Sequence, residues 1–357
     1  MIILSPGPAN ISERVRRALS GPDIGHRESE FSDLLGEVRT LLLRACGVSQ
    51  GYSCAFFCGS GTTGIEAAIT SLSTVSSGVL ILSNGMYGER AAQIADTFQI
   101  PFTLETSAWT QPIPLSWAEA SIRKTHHNTV YLVHHETTTG VLNPLQAIAE
   151  AAKRYQKRVL VDAVSSIAGE VLDLAGWGID GVVGSANKCI RGVPGVSFVI
   201  VAQDFLNIIL ARRRVSFSTD LVSALLKEEA GETPFTPPVQ AFYGLREALR
   251  ELADEGLDNR IAHYRHIAKV LRDGLSALGL KLLVPREYLS NTMTSVMLPK
   301  GLSYSSLHGQ LKQHGYLIYK SQAHLGEITF RLGTVGNLTE RNICGFLDSL
   351  KRVIENR

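Results

Sequence analysis

The sequence predicts an α/β protein, a doubly wound and largely parallel sheet followed by a smaller α+β domain, on three observations. Short β-rich runs alternate with helical stretches through the first two-thirds of the chain, the pattern of βαβ units. Some of these runs are apolar throughout, as strands covered on both faces are. Beyond Pro238 the pattern changes to long helices and then to strand, strand, helix, strand, helix.

Taken in order, an apolar strand runs up to GSGTTGIEAA (Gly59–Ala68), which opens a helix. GVLILSNG (Gly78–Gly85) is a strand ending in a turn, with Tyr87–Phe98 as the helix after it. TVYLVHHE (Thr129–Glu136) precedes Leu145–Tyr155, whose apolar residues fall at helical spacing. RVLVDAV (Arg158–Val164) and GVVGSANK (Gly181–Lys188) end in small and polar residues, and VSFVIVA (Val196–Ala202) is apolar along its length. Arg212–Pro238, with Thr233, Pro234, Thr236, Pro237 and Pro238, reads as an irregular surface loop. A long helical stretch from Val239 to Leu278 breaks near Gly256; then come KLLV and TSVML strands, a Ser305–His314 helix, a Thr329–Leu332 strand and a Thr339–Ile354 helix. These place a large domain at 1–255, its N-terminal segment reaching the active site, and a small α+β domain at 256–357.

Composition narrows the function classes. The 357 residues carry 35 Lys+Arg against 33 Asp+Glu, a net charge of +2, which leaves no broad basic surface for nucleic acid or anionic lipid. With 45% apolar and 19% charged residues the chain is globular in composition. No apolar stretch approaches the roughly 20 residues that span a bilayer. MIILSPGPAN breaks at Pro6 without a basic leader, so no secretory signal is expected. Five cysteines (Cys46, Cys54, Cys58, Cys189, Cys344) do not make a disulfide framework. Cys54 and Cys58 are four apart but lack a second ligand pair, so buried, reduced thiols in a cytoplasmic protein are expected and no metal site.

Four strand ends carry candidate chemistry. In GSGTTG, Gly59 and Gly61 allow a tight turn, while Ser60, Thr62 and Thr63 add hydroxyls to a helix N-terminus, which together suit a phosphate; the plain alternative is an ordinary N-cap. Gly59, Gly61 and Gly64 also fit G-x-G-x-x-G, but the acidic residue a dinucleotide site wants is missing, the next strand ending in Ser83 and Asn84. Asp162 in VDAVSS (Val161–Ser166) ends an apolar strand, where ligands bind in open α/β sheets; it either meets a cation or caps the next turn. Lys188 ends another strand among small residues, 26 positions after Asp162; desolvated there it becomes a competent nucleophile, and otherwise it is a snorkelling surface lysine. In HHETTTG (His134–Gly140), Glu136 and three threonines gather at a third strand end, with His134 and His135 either semi-buried and satisfied or chemical. Tyr87 offers a ring at a fourth, as packing or as a platform.

One assembly uses all four: pyridoxal phosphate, whose phosphate wants a helix N-terminus, whose ring wants an aromatic face and a carboxylate, and whose aldehyde wants a lysine.

The chain resembles the class V aminotransferases of fold type I, and within them the 2-aminoethylphosphonate–pyruvate transaminase branch. The resemblance is carried by LSPGP (Leu4–Pro8), GSGTTGIEA (Gly59–Ala67), NGMYGER (Asn84–Arg90), HHETTTGVLNP (His134–Pro144), VDAVSS (Val161–Ser166), SANKCIRGVPGVSFVI (Ser185–Ile200), FTPPV (Phe235–Val239) and FRLGTVG (Phe330–Gly336). It implies a mostly parallel seven-stranded sheet flanked by helices, and a homodimer whose active site the neighbouring subunit completes. It implies Lys188 as the lysine bonded to the cofactor and Asp162 as partner of its ring nitrogen. Tyr87 matches the stacking aromatic, Ser60, Gly61 and Thr62 the phosphate site, and Thr137 the hydroxyl near the phenolic oxygen. Val164 and Asn187 match further cofactor contacts. Thr233 and Thr236 match a loop that reaches the neighbour's phosphate. Arg331 matches the carboxylate clamp, a task suited to a guanidinium, with Ser5 and Gly7 beside the substrate.

The activity so implied is transfer of the amino group of 2-aminoethylphosphonate to pyruvate, giving phosphonoacetaldehyde and L-alanine, with Lys188 also moving the proton. The alternatives are a serine– or alanine–glyoxylate aminotransferase, another pyridoxal phosphate reaction such as a lyase, and, from another class, a non-catalytic α/β binding protein. Two stretches depart from the phosphonate branch: IYKSQ (Ile318–Gln322) stands where that branch has an IYPGK-like run, and GHRESEF (Gly25–Phe31) follows the wider class. Both are expected to line the substrate entrance, with donors for a phosphonate coming from Ser5–Pro8 or from near His26 and Arg27.

Overall fold

In the computed structural model, which describes residues 1–72, 78–210 and 214–355, the apolar runs build one seven-stranded sheet. Its strands are β1 (Tyr52–Cys58), β2 (Val79–Ser83), β3 (Phe102–Thr106), β4 (Thr129–Val133), β5 (Arg158–Asp162), β6 (Gly181–Ser185) and β7 (Val196–Ala202), in spatial order 1-7-6-5-4-2-3. β3, β2, β4, β5 and β6 pair in parallel. β7 is antiparallel to both β6 and β1, so it alone runs backwards and the other C-terminal ends share one edge.

Strand alternation divides the apolar runs between two layers. Leu80, Leu82, Val130 and Leu132 face one core, while Val79, Ile81, Tyr131 and Val133 face the other. Helices cover both faces, which is why every residue of β2, β4 and β6 is buried. The helix Ser29–Ala45 buries Phe31, Leu34, Leu35, Val38 and Leu42, the spacing of one helical face. It packs on the helix Val239–Glu255, with Phe31 edge-on to Phe242 at 5.6 Å.

Gly256, at φ +84°, separates that helix from Leu257–Ala277. Beyond it a third core forms around Ile267, Val296, Phe330, Leu332 and Phe346, against a three-stranded antiparallel sheet of Met293–Met297, Thr329–Gly333 and Tyr319–Lys320. The chain's first residues join this third core: Ile2–Ile3 pairs with Tyr316–Leu317, and Leu4 is fully buried there.

Three sequence expectations need correction. Arg212–Pro238 is not irregular throughout, because Leu221–Glu229 is a helix capped by Asp220; its apolar residues bury against β1, and the nearby prolines all lie beyond its end. Residues 212 and 213 of that stretch lie outside the described residues. KLLV forms only a single bridge, Leu282 to Val296, rather than a strand. The thiols are all unpaired, but Cys58 and Cys344 are exposed and only Cys46, Cys54 and Cys189 are buried. Among the described residues no helix is long and apolar enough to cross a membrane, and no cluster of metal-ligating side chains was found.

Candidate active site

The shared edge of the sheet brings the expected residues together. Ser60, Gly61, Thr62, Tyr87, Thr137, Asp162, Val164, Asn187 and Lys188 line one cavity, along with Arg90 and His135. They lie at or beyond the C-terminal ends of five strands, β1, β2, β4, β5 and β6, where a doubly wound sheet places ligand sites.

At one wall the helix Gly61–Leu72 presents its N-terminus, where backbone N–H groups and the helix dipole favour an anion. Gly61 is needed for space: a Cβ there would sit 2.7 Å from Val164 Cγ2. Arg90 Nη1 donates to Thr62 Oγ1 at 3.3 Å, adding a cation beside this cup.

Asp162, the last residue of β5, is 4% exposed. Its carboxylate accepts from the Val164 N–H at 2.9 Å and from the Tyr131 hydroxyl at 3.5 Å. Burial pushes its pKa up to about 6, against the opposing pull of the Val164 bond, Arg90 and Lys188. A carboxyl so placed is short of a cation.

Lys188 Nζ donates to the Pro6 carbonyl at 3.0 Å, and burial lowers its pKa below the ordinary lysine range, which favours the nucleophilic free amine. The N-terminal segment crosses directly over it. Gly7, at φ +146°, leaves no room for a side chain, since a Cβ would fall 2.1 Å from Nζ. Ala9 N–H donates to the Asn187 carbonyl at 3.2 Å, and Asn187 Oδ1 accepts from Ser185 Oγ at 2.7 Å.

The opposite wall is a hairpin, His135–Glu136 paired with Val141–Leu142, which holds Thr137 in its loop. Glu136 is fully buried; its carboxylate accepts from Thr138 Oγ1 at 2.6 Å, Thr138 N–H at 3.0 Å and Tyr87 N–H at 3.2 Å. It thereby caps the helix Met86–Thr97 that carries Tyr87. Gly85, the residue before that helix, has no room for a side chain, because a Cβ there would clash with Glu136. Burial pushes Glu136 up to about 7, the Thr138 bonds opposing. The Arg90 guanidinium lies over the Tyr87 ring at 4.6 Å. Burial lowers His134 to about 3 and His135 to about 4, so both are neutral at pH 7.

Arg331, on the strand Thr329–Gly333, is 5% exposed and donates from Nη1 to the Thr137 carbonyl at 3.1 Å. That bond ties the C-terminal sheet to the cavity wall. Ser5 is buried in its own turn, its Oγ donating to the Gly7 carbonyl and accepting from the Gly7 N–H. Thr233 and Thr236 stand apart within the chain, lining a second cavity with Phe57, Phe217 and Phe235. Residues 25–31 open the helix Ser29–Ala45 and line neither cavity, so their expected place at the entrance is not found within one chain. Arg90 was not singled out from the sequence, although its position three residues after Tyr87 on a helix puts both on one face.

These residues fit pyridoxal phosphate. The buried carboxyl short of a cation suits a protonated ring nitrogen, the helix N-terminus beside Arg90 suits a phosphate, and Lys188 is a buried amine between them.

A family model described as aminotransferase class-V matches residues 14–319. A 2-aminoethylphosphonate–pyruvate transaminase from Bacillus cereus (strain G9842) is 33% identical over 358 residues, covering 98% of this chain and 97% of that protein. One of the same description from Vibrio vulnificus (strain CMCP6) is 34% identical over 359 residues, covering 99% and 97%. The crystal structure of ureidoglycine–glyoxylate aminotransferase from Bacillus subtilis superposes with a TM-score of 0.92 at 27% identity, covering 99% of this chain and 92% of that one.

Proposed function

The chain belongs to the class V aminotransferases, enzymes that use pyridoxal phosphate, and from that premise we propose that it moves the amino group of 2-aminoethylphosphonate to pyruvate, giving phosphonoacetaldehyde and L-alanine. The observation that carries this reading is the identity of about one-third with two such transaminases along nearly the whole chain. The site agrees with it, since both substrates are anionic and Arg331 is bonded to Thr137, which lines the cavity.

Bound pyridoxal phosphate supplies the reactive carbonyl carbon and the electron sink for amino transfer. Lys188 would hold it through Nζ and, as a free amine, would carry the proton to and from the donor carbon. Asp162 keeps the ring nitrogen protonated, its own charge being tolerated in the interior only against a cation. Tyr87, Val164, Thr137 and Asn187 would contact the ring, and Ser60, Gly61 and Thr62 would bind the phosphate. Arg331 grips the carboxylate of pyruvate, with Ser5 and Gly7 shaping the wall beside it.

We place the protein in the cytoplasm as a homodimer. All five cysteines are unpaired, as in a reducing compartment. The Thr233 hydroxyl is buried without a hydrogen-bond partner among the described residues, and Thr233 and Thr236 are taken to reach the phosphate site of a second copy.

A donor panel tests the substrate. With purified holoenzyme, 2-aminoethylphosphonate and pyruvate should give the highest kcat/KM. L-serine or L-alanine with glyoxylate exceeding it by about tenfold, some 1.4 kcal/mol in transition-state binding, would assign a glyoxylate aminotransferase instead.

A further inference from the structure

Arg331 does not meet a substrate anion with its donors free. Nε and Nη2 both donate to the Lys320 carbonyl, at 3.2 and 3.0 Å. Nη1 donates to the Thr137 carbonyl at 3.1 Å and to Gln322 Oε1 at 3.2 Å. A guanidinium has five N–H donors and no acceptor, so these four bonds leave a single N–H, on Nη2, and the Tyr87 hydroxyl also stands within hydrogen-bonding reach of the guanidinium. A carboxylate held by both ends of the fork needs one more.

Three of the four engaged donors go to backbone oxygens that cannot leave cheaply. Lys320 is fixed by strand pairing with Phe330, and Thr137 sits in the loop of its hairpin. Gln322 alone offers its oxygen from a rotatable side chain. Its backbone is pinned by its place between that strand and the 3-10 turn Ala323–Glu327, whose first residue has φ +49°. The residue is half-buried, so the amide has room to turn.

We propose that Gln322 is a specificity residue of the anion site: it gives up its bond to Arg331 Nη1 as a substrate anion binds, and turns its Nε2–H2 group towards that anion. The two substrate classes gain unequally from this. A planar carboxylate satisfies both oxygens on the guanidinium fork. A tetrahedral phosphonate has a third oxygen left over, and the Gln322 amide supplies a donor for it. Gln322 therefore costs both anions one displaced hydrogen bond and returns one only to the phosphonate. This inference rests on the reading of Arg331 as the anion-binding residue.

Because each half-reaction of a ping-pong enzyme reports its own kcat/KM, the test is a split between substrates in Gln322→Leu, which removes both acceptor and donor at similar size. Relative to wild type, kcat/KM for pyruvate should hold or rise up to about fivefold, while that for 2-aminoethylphosphonate falls about tenfold. Gln322→Glu should weaken both, since its carboxylate competes for Arg331 and donates nothing. General damage lowers both in the Leu variant as well, so a ratio that stays within about twofold of wild type there overturns the proposal. Arg331→Gln separates the two levels of the argument. If it weakens neither substrate, the reading of Arg331 falls and the proposal with it. If it weakens both while Gln322→Leu leaves the ratio unchanged, only the role of Gln322 is refuted.

Discussion

Replacing Asp162 by Asn should make the cofactor-free protein more stable and the enzyme nearly inactive. In the fold the carboxyl is 4% exposed, and burial raises its pKa from 3.8 to about 6. For a group whose folded pKa is raised above its unfolded one, protonation favours the fold, and stability is lost as pH climbs from the unfolded value through the folded one. At pH 8 the ionised Asp162 therefore costs the wild type about 3 kcal/mol, and at pH 5 about half of that. An amide at this place keeps the bond from the Val164 N–H, and its N–H group can donate to the Tyr131 oxygen, so the one bond that is lost is the long donation from the Tyr131 hydroxyl at 3.5 Å. Urea unfolding of the two cofactor-free proteins at pH 8 and pH 5 isolates this carboxyl, because every other titrating group is common to both. The variant should lead by up to about 3 kcal/mol at pH 8 and by roughly half as much at pH 5. Its turnover should fall by orders of magnitude, since a neutral amide cannot hold the ring nitrogen's proton. A variant no more stable than wild type at pH 8, or one with near-normal turnover, would mean that Asp162 is not the buried charge that awaits the cofactor.

Lys188→Ala should keep the fold but lose both transamination and the visible absorption of lysine-bound cofactor; reduction and peptide mapping that finds the cofactor on another lysine would refute the assignment. Arg331→Lys should cut kcat/KM for pyruvate by roughly 10- to 150-fold, the equivalent of about 1.5–3 kcal/mol for a lost charge-assisted hydrogen bond, because an ammonium replaces a planar fork. Gly61→Ala would place a Cβ 2.7 Å from Val164, so cofactor titration should show affinity lower by about 5- to 150-fold, the equivalent of an overpacking cost of about 1–3 kcal/mol, and unchanged binding would show that the cup is not so tightly shaped.

Much of this site was legible because strand ends are legible. Asp162 and Lys188 stand out as charged residues closing apolar runs, and a doubly wound sheet gathers such ends at one edge. The edge strand Phe102–Thr106 escaped notice because it is half-exposed and mixed in character, unlike the fully buried runs. The helix Leu221–Glu229 was hidden by the prolines that follow it. The surroundings of Arg331 could not be read at all, since its contacts with Lys320, Gln322 and Thr137 depend on the pairing of a two-residue strand and on the approach of one hydrophobic core to another. Glu136 was visible as a polar residue at a strand end, but its capping of the Tyr87 helix depends on two elements far apart in sequence.

The most direct measurement is a single turnover of the holoenzyme with 2-aminoethylphosphonate and no keto acid. The account predicts that the visible absorbance of the lysine-bound cofactor is lost, that one equivalent of phosphonoacetaldehyde appears per site, and that pyruvate added afterwards restores the absorbance and yields one equivalent of alanine. Absorbance that persists with the phosphonate but is lost with L-serine or L-alanine would contradict it.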